Sequence, residues 1–372
     1  MFLFILLARL LGPSEFGSYL FFLTLLQLIT VVSDLGLIQW FQKEAHNRAT
    51  SELIHAVLPV RATTLIVSLI VTYIATSLTH LLSVEAATLL LILMIPEAFL
   101  SVLDGYYFHL NKSFLVALKT AIESALMIIG VLLFKSGIHF HTVAYIYLVT
   151  TIVSLTWYVP WKRLKGLTFP TLAKQANILR SSMKYAYLIF TSFAYARGDS
   201  FVVKTMISNT ALGMYGAAYR FLESLSLLPT ALSHNLFPVS SKEGAVTAKH
   251  LKKITVIMTV VGVAVGLVLW LGADLFIGVF VGPEYAAAIP VLKILSFVLV
   301  LFFISAPLST VVQSSQYIQQ FLPWGVANTA TNIGLNILLV PILGISGAAY
   351  SMLITEITGL IINLWFIRKI YA

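Results

Sequence analysis

The chain has no cysteine, which excludes disulfides, thiolate metal sites and cysteine nucleophiles together. Charge is also scarce: Asp, Glu, Lys and Arg make up 10% of the 372 residues, where a soluble domain carries about 25%. With 59% hydrophobic residues and a mean hydropathy of +0.96, this rules out a soluble globule, a disordered chain or a secreted disulfide scaffold. Stretches of about ten residues alternating apolar and polar side chains, the mark of membrane barrel strands, are missing too. So are G-x-x-x-x-G-K-[ST], H-E-x-x-H and G-x-S-x-G, which removes the commonest phosphate-loop, zinc-protease and serine-hydrolase chemistries.

What the sequence does have is long unbroken apolar runs. In lipid only helices and closed barrels satisfy their own backbone groups, so the expected fold is an all-α polytopic membrane protein. Spans are predicted near 17–41, 57–81, 86–106, 114–134, 142–160, 182–204, 211–238, 253–279, 286–311, 319–341 and 345–368. Met1 to Ala8 is an apolar stub ending at Arg9. At about 12 Å it is too short to cross a core near 30 Å, and it lacks the basic start and cleavage site of a signal peptide. Taken as the tail of a first helix, it brings the total to about twelve.

The formal charge is +9, and its distribution between loops matters more than its size. Connections after even-numbered helices hold Lys43, Arg48, Arg61 and Lys112, then Lys162, Arg163, Lys165, Lys174, Arg180 and Lys184, and later Lys242, Lys249, Lys252 and Lys253. Arg368 and Lys369 close the chain, while the odd-numbered connections hold little beyond Arg9, Lys135 and Lys204. The positive-inside rule then puts the even side and both termini in the cytoplasm. The excess is a topology signal, with anionic headgroups as a secondary partner, rather than a nucleic-acid footprint. All connections on the opposite side are short, leaving no external loop to house an enzyme, so neither catalysis nor a cofactor is expected.

Two halves resemble each other. Phe16-Gly17-Ser18-Tyr19 aligns with Leu212-Gly213-Met214-Tyr215, and Lys43-Glu44 with Lys242-Glu243. Six helices per half would bring the second copy in with the orientation of the first, making two parallel six-helix repeats; such interfaces commonly hold transport sites. The expected division is 1–160, a basic linker at 161–181, and 182–372. Two units of the repeat length, 196, need 392 residues against the 372 present. The shortfall matches what the stub lacks, so the first helix is expected to be truncated.

Ionisable residues inside spans are functional candidates by default, because a charge there is costly unless paired or hydrated. The densest group is Arg197, Asp199, Arg220 and Glu223. Arg220 and Glu223 share a helix face at i,i+3, whereas Arg197 and Asp199 point to different sides and need separate partners. Lys119 and Glu123 share a face at i,i+4. Asp34, Glu97, Asp104, His234, Lys293 and Glu356 are further candidates. Neutral pairs that only lock helices together remain the alternative for the two same-face pairs. Gly262-x-x-x-Gly266 is a close-packing motif, and His139 with His141 makes too small a set for a metal site.

The stretch from Ala8 through Arg9-Leu10-Leu11-Gly12-Pro13-Ser14-Glu15-Phe16-Gly17-Ser18-Tyr19, followed by Ser33-Asp34-Leu35-Gly36-Leu37, resembles the opening signature of bacterial polysaccharide transporters. These are the O-antigen and capsule repeat-unit flippases of the multidrug/oligosaccharidyl-lipid/polysaccharide exporter superfamily. Arg197-Gly198-Asp199, Gly213-Met214-Tyr215 through Arg220 with Leu236-Phe237-Pro238, and Val281-Gly282-Pro283-Glu284-Tyr285 leading to Lys293 resemble later segments of the same family. The resemblance implies a V-shaped, MATE-like bundle in the inner membrane that moves undecaprenyl-pyrophosphate-linked oligosaccharide from the cytoplasmic to the periplasmic leaflet. It also implies H⁺ or Na⁺ as a coupling ion and a polysaccharide polymerase as a partner. Within that frame Arg197, Arg220 and Lys119 are the expected substrate-binding residues, with Asp199, Glu223, Glu123 and Asp34 in coupling or charge pairing. An ion-coupled multidrug exporter is the main alternative, and a membrane glycan polymerase or ligase, or a scaffold protein, lies further off.

Overall fold

The computed structural model describes residues 1–44, 50–79, 82–135, 137–161, 164, 169–240 and 246–371. Arg48, Lys162, Arg163, Lys165, Lys242 and Glu243, and the side chains of His234 and Pro238, lie outside the described residues. Every regular element among the described residues is helical. In order these are α1 (Phe2–Asp34), α2 (Leu37–Glu44), α3 (Thr50–Thr79), α4 (Val84–His109), α5 (Ser113–Leu133), α6 (Phe140–Tyr158), α7 (Leu172–Met206) and α8 (Asn209–Leu225). Then follow α9 (Leu227–Ser240), α10 (Ala248–Leu271), α11 (Ala273–Leu275), a π-helical turn Phe276–Val281, a short 3-10 turn Pro283–Tyr285, α12 (Ala288–Ser314), α13 (Ile318–Leu343) and α14 (Ile345–Tyr371).

Nine helices among the described residues are long and apolar enough to cross a bilayer: α1, α3, α4, α5, α6, α10, α12, α13 and α14. Their outward faces are apolar; Ile66, Val67, Ile70, Val71 and Ile74 lie along one exposed stripe of α3. In water such a stripe would be a liability, and in lipid it is the solvated surface. The protein is a multi-pass, all-α membrane protein.

Several predicted boundaries change, three of them as follows. α1 is two helical pieces, because Gly12 stands at φ 70°, ψ 170°. Pro13 disfavours helical backbone in the residue before it, and a positive φ there suits glycine. The stub is thus a short helix of its own, and the next begins at Pro13, a residue suited to a first helical turn. The predicted 211–238 span breaks at Ser226 into α8 and α9, with Pro229 tolerated in the first turn of α9. α7 begins at Leu172, ten residues before the predicted 182, because Gln175, Ile178 and Leu179 are packed: Gln175 is buried and bonded to Thr63 and Pro170. With α1 counted as two pieces, α2 as the extension of its second piece, α8 with α9 as one, α11 with the π turn as the end of α10, and the 3-10 turn left aside, the helical segments among the described residues number twelve.

The chain forms two compact units, Tyr19–Ala194 and a second made of Met1–Ser18 with Tyr195–Ala372. In the first, Leu37, Trp40 and Phe41 of α2 pack with Leu53, Ile54 and Val57 of α3 and Leu103 and Tyr106 of α4. Leu35 at φ 48° and Gly36 at φ 76° turn the chain from α1 into α2. A side chain at Gly36 would meet the backbone of Ser182 and Ala186, so that glycine lets α7 lie directly against the turn.

In the second unit the N-terminal piece crosses α8 backbone to backbone. A Cβ on Gly17 would overlap the carbonyl of Asn209, and one on Gly213 would overlap the carbonyl of Pro13. Each glycine faces the carbonyl four residues before the other, so the contact is reciprocal. The repeat-matched glycines are each other's neighbours. Asn209 Nδ2 donates to Ser18 Oγ at 2.9 Å beside them, Tyr285 OH donates to Ala8 O at 2.9 Å, and Phe16 meets the Tyr285 ring edge-on. Gly262 and Gly266 likewise bring α10 onto α12 at Phe303, Val300 and Ser296.

Candidate functional site

The densest charged group forms on α7 and α8 of the second unit. Arg197 Nη2 donates to Glu223 Oε1 at 2.8 Å, and Arg220 Nη1 donates to the other oxygen of the same carboxylate. Glu223 therefore bridges two arginines, which the i,i+3 spacing of Arg220 and Glu223 foreshadows and the distant Arg197 does not. Aromatic faces flank both cations: the Arg220 guanidinium lies 3.8 Å from the Phe4 ring centroid and that of Arg197 lies 5.9 Å from the Tyr219 ring. Phe4 belongs to the N-terminal stub, which thus supplies a wall of the site.

Two arginines share the one Glu223 carboxylate. The arginine side chains are 15% exposed and that of Glu223 36%, so part of each guanidinium stays accessible. Partly desolvated arginines of fixed geometry are suited to a phosphate or carboxylate, whose oxygens accept paired N–H bonds. Asp199 points elsewhere, as its two-residue offset from Arg197 requires: Tyr215 OH donates to it, and Ser200 N–H donates to Oδ1 at 2.6 Å. Tyr195, on the same helix, donates to the buried Glu356 of α14. Beyond Glu356, Asn332 Nδ2 donates to Thr355 Oγ1 at 3.0 Å and Thr358 Oγ1 to Asn328 Oδ1 at 2.6 Å. This amide–hydroxyl ladder joins α13 to α14. Its members sit one helical turn apart in each chain segment, but a single asparagine in an apolar run does not announce its partner.

Lys119, Glu123, Asp104, Asp34 and Glu97 lie in the first unit. Lys119 does not pair with Glu123, its same-face neighbour; its Nζ stands 2.8 Å from Asp104 Oδ2 on α4. Tyr158 OH donates to the other oxygen of Asp104 at 2.7 Å, and the ammonium lies 5.3 Å from the Tyr158 ring centroid. Lys119 is buried in this arrangement. Asp34 faces Arg61 at 3.6 Å. By sequence Arg61 is a connection residue marking the cytoplasmic side; in the structure it lies inside α3, fully buried, because that helix starts at Thr50. Its Nε donates to Ala98 O and its Nη2 to Thr30 O, both at 3.3 Å, so the buried charge has two carbonyl acceptors beside Asp34. Glu97 accepts from Tyr147.

Lys293, near the start of α12, pairs at 2.8 Å with Asp274 of α11, which lies outside the spans, and this holds the Asp274 carboxyl below its ordinary range. Burial raises the Tyr285 hydroxyl. His141 approaches Ser83 and Glu85, and no group of three His, Cys, Asp or Glu among the described residues is arranged to hold a metal.

The chain belongs to the family of polysaccharide biosynthesis proteins, whose profile matches residues 1–243. A probable flippase, AglR, of Haloferax volcanii is 28% identical over 209 residues, covering 53% of this chain and 43% of that protein. The match thus spans less than half of that relative's length. Among solved structures, the lipid II flippase MurJ in an inward closed conformation superposes with a TM-score of 0.80 at 18% identity, covering 99% of this chain and 84% of that one. A multidrug resistance MATE family transporter of the MOP superfamily, in its inward-facing conformation, gives 0.74 at 18% identity over 99% and 93%. A MOP superfamily transporter from Pyrococcus furiosus with a binding pocket of reverse polarity gives 0.63 at 16% identity over 99% and 90%. At these identities the structures establish a shared fold.

Proposed function

We propose that this member of the polysaccharide biosynthesis protein family is a flippase for lipid-linked oligosaccharides. The observation that carries the proposal is the Arg197–Glu223–Arg220 group: two partly accessible guanidiniums, one carboxylate and two flanking rings on membrane helices. A pyrophosphate-linked sugar cannot cross hydrocarbon without replacement of its hydration shell. Arginines can supply that replacement, while the lipid tail stays against apolar helix faces. The group's pair of guanidiniums, with its fork-shaped N–H donors, suits an anionic headgroup better than a cationic drug. It supports this function over the multidrug exporter that the same fold also accommodates.

In the fuller proposal the substrate is an oligosaccharide on undecaprenyl pyrophosphate, moved from the cytoplasmic to the periplasmic leaflet of a bacterial inner membrane for O-antigen, capsule or exopolysaccharide assembly. Both termini are cytoplasmic, the halves 1–160 and 182–372 alternate about the linker 161–181, and H⁺ or Na⁺ drives the cycle. A polymerase receives the product. Arg197 and Arg220 bind the pyrophosphate, Glu223 holds them in register, Lys119 is a further substrate-binding residue, and Asp199, Glu123 and Asp34 serve in coupling or pairing.

Complementation tests this. Several flippase-null hosts with different repeat units receive the gene, then Arg197→Ala and Arg220→Ala variants at equal expression. Surface glycan should return with the parent and fall at least tenfold with each arginine variant. Equal rescue by parent and variants would remove the arginines from the mechanism, and drug resistance without glycan rescue would replace the flippase with the exporter.

A further inference from the structure

Away from the arginine group, a groove of about 650 Å³ runs between α10 and α14 with α12 as its floor. Leu251 and Leu308 form the base, and Ile304, Leu360, Leu364 and Val256 the walls. Lys252 and Arg368 line the same groove at one end, at the first turns of α10 and the last of α14. Both are exposed, and among the described residues neither is in an ion pair. Neighbouring Lys369 is already engaged, donating to Gln320 at 2.6 Å and lying over the Tyr317 and Trp365 rings.

Thr255, one turn along α10 from Lys252, also lines the groove, and its Oγ1 is buried without a hydrogen-bond partner. From Arg368 back to Leu360 the wall of α14 rises about 12 Å, changing from cationic to wholly apolar. One end thus suits a negative headgroup at the membrane surface, and the other suits hydrocarbon.

We infer that this groove is a binding site for an anionic phospholipid of the surrounding bilayer, with its phosphate between Lys252 and Arg368, its glycerol region at Thr255, and an acyl chain along Leu251, Leu308, Leu360 and Leu364. The charge pairing selects the headgroup class, since a zwitterionic lipid brings a cation of its own to the same two residues. The site is separate from the arginine group on α7 and α8 and does not depend on transport.

The test uses the purified, delipidated full chain in mild detergent, titrated with phosphatidylglycerol and with phosphatidylcholine, bound lipid being counted by native mass spectrometry. Phosphatidylglycerol should bind more tightly. Lys252→Gln and Arg368→Gln should each weaken it about fivefold, the effect of one cation at an anionic surface, and leave phosphatidylcholine unchanged. Both side chains are exposed, so these variants should keep the parent's thermal transition. Leu308→Trp, which fills the base, should lower the affinity for both lipids. Lys249→Gln, at the same helix end but outside the groove, should change nothing. Equal binding of the two lipids, or a Lys249→Gln effect as large as that of Lys252→Gln, would overturn the site in favour of diffuse attraction. Displacement of phosphatidylglycerol by an equimolar isoprenyl phosphate would overturn it in favour of the transported lipid.

Discussion

Adding one methyl group at Gly213 or Gly17 should separate the N-terminal piece from α8. A Cβ on Gly17 would stand 2.7 Å from the carbonyl carbon of Asn209 and 2.8 Å from the nitrogen of Gly213, where carbon atoms at optimal separation stand about 3.5–4.0 Å apart. The shortfall is near 1 Å, and the obstructing atoms are backbone, so no rotamer change relieves it. Overpacking of this kind destabilises by about 1–3 kcal/mol, and the backbone origin puts both positions at the upper end. Alanine returns about 1 kcal/mol over glycine in a helix. The net loss for each single variant is thus about 2 kcal/mol, a fall in Tm of about 2.5 °C for a chain of this size.

The reciprocal geometry adds a sharper expectation. Once one methyl has pushed the helices apart, the second enters a gap already opened, so Gly17→Ala with Gly213→Ala should lose less than the sum of the singles by about 1 kcal/mol. Tryptophan-fluorescence melts of the four proteins in detergent measure this. Because the chain has no native cysteine, Ser18→Cys with Asn209→Cys can be bridged by a short bifunctional thiol reagent, and the yield should fall when either alanine is present. Unchanged Tm values with unchanged bridging, or strict additivity, would refute the close approach as the reason for these glycines.

Three other outcomes follow from the charge pairs. Arg61→Met should destabilise by about 3–5 kcal/mol because it strands Asp34, and Asp34→Asn in the same chain should recover most of that loss in denaturant or thermal melts. Lys119→Met should cost less than Arg61→Met in the same assay, since the Asp104 side chain is 27% exposed and keeps its bond from Tyr158. For Asp274, whose folded-state pKa is depressed by Lys293, the contribution is present above the unfolded pKa near 3.8 and disappears as pH falls through the lower folded value. Lys293→Gln should therefore melt slightly below the parent at pH 6, with the difference vanishing on acidification below that range; a gap that persists at low pH would assign the effect to packing.

The sequence by itself determined the membrane class, because scarce charge and long apolar runs leave helices as the only way to satisfy a backbone in lipid. It also determined most span positions, since each depends on local composition, but the predicted span 17–41 ran through Leu35-Gly36, where the structure turns from α1 into α2. Same-face spacing identified Arg220 with Glu223. The tertiary structure decided the partners. Lys119 chose Asp104 over Glu123 because another helix brought a carboxylate closer than its own next turn, and Arg61 turned from a topology marker into a buried cation because α3 extends further back than its apolar run. Glu223 collected a second arginine from α7, and Phe4 and the amide ladder joined from distant segments. Helix periodicity fixes which side chains share a face, but only packing fixes what that face meets, and for charges held in a low-dielectric interior the partner met determines what the residue can do.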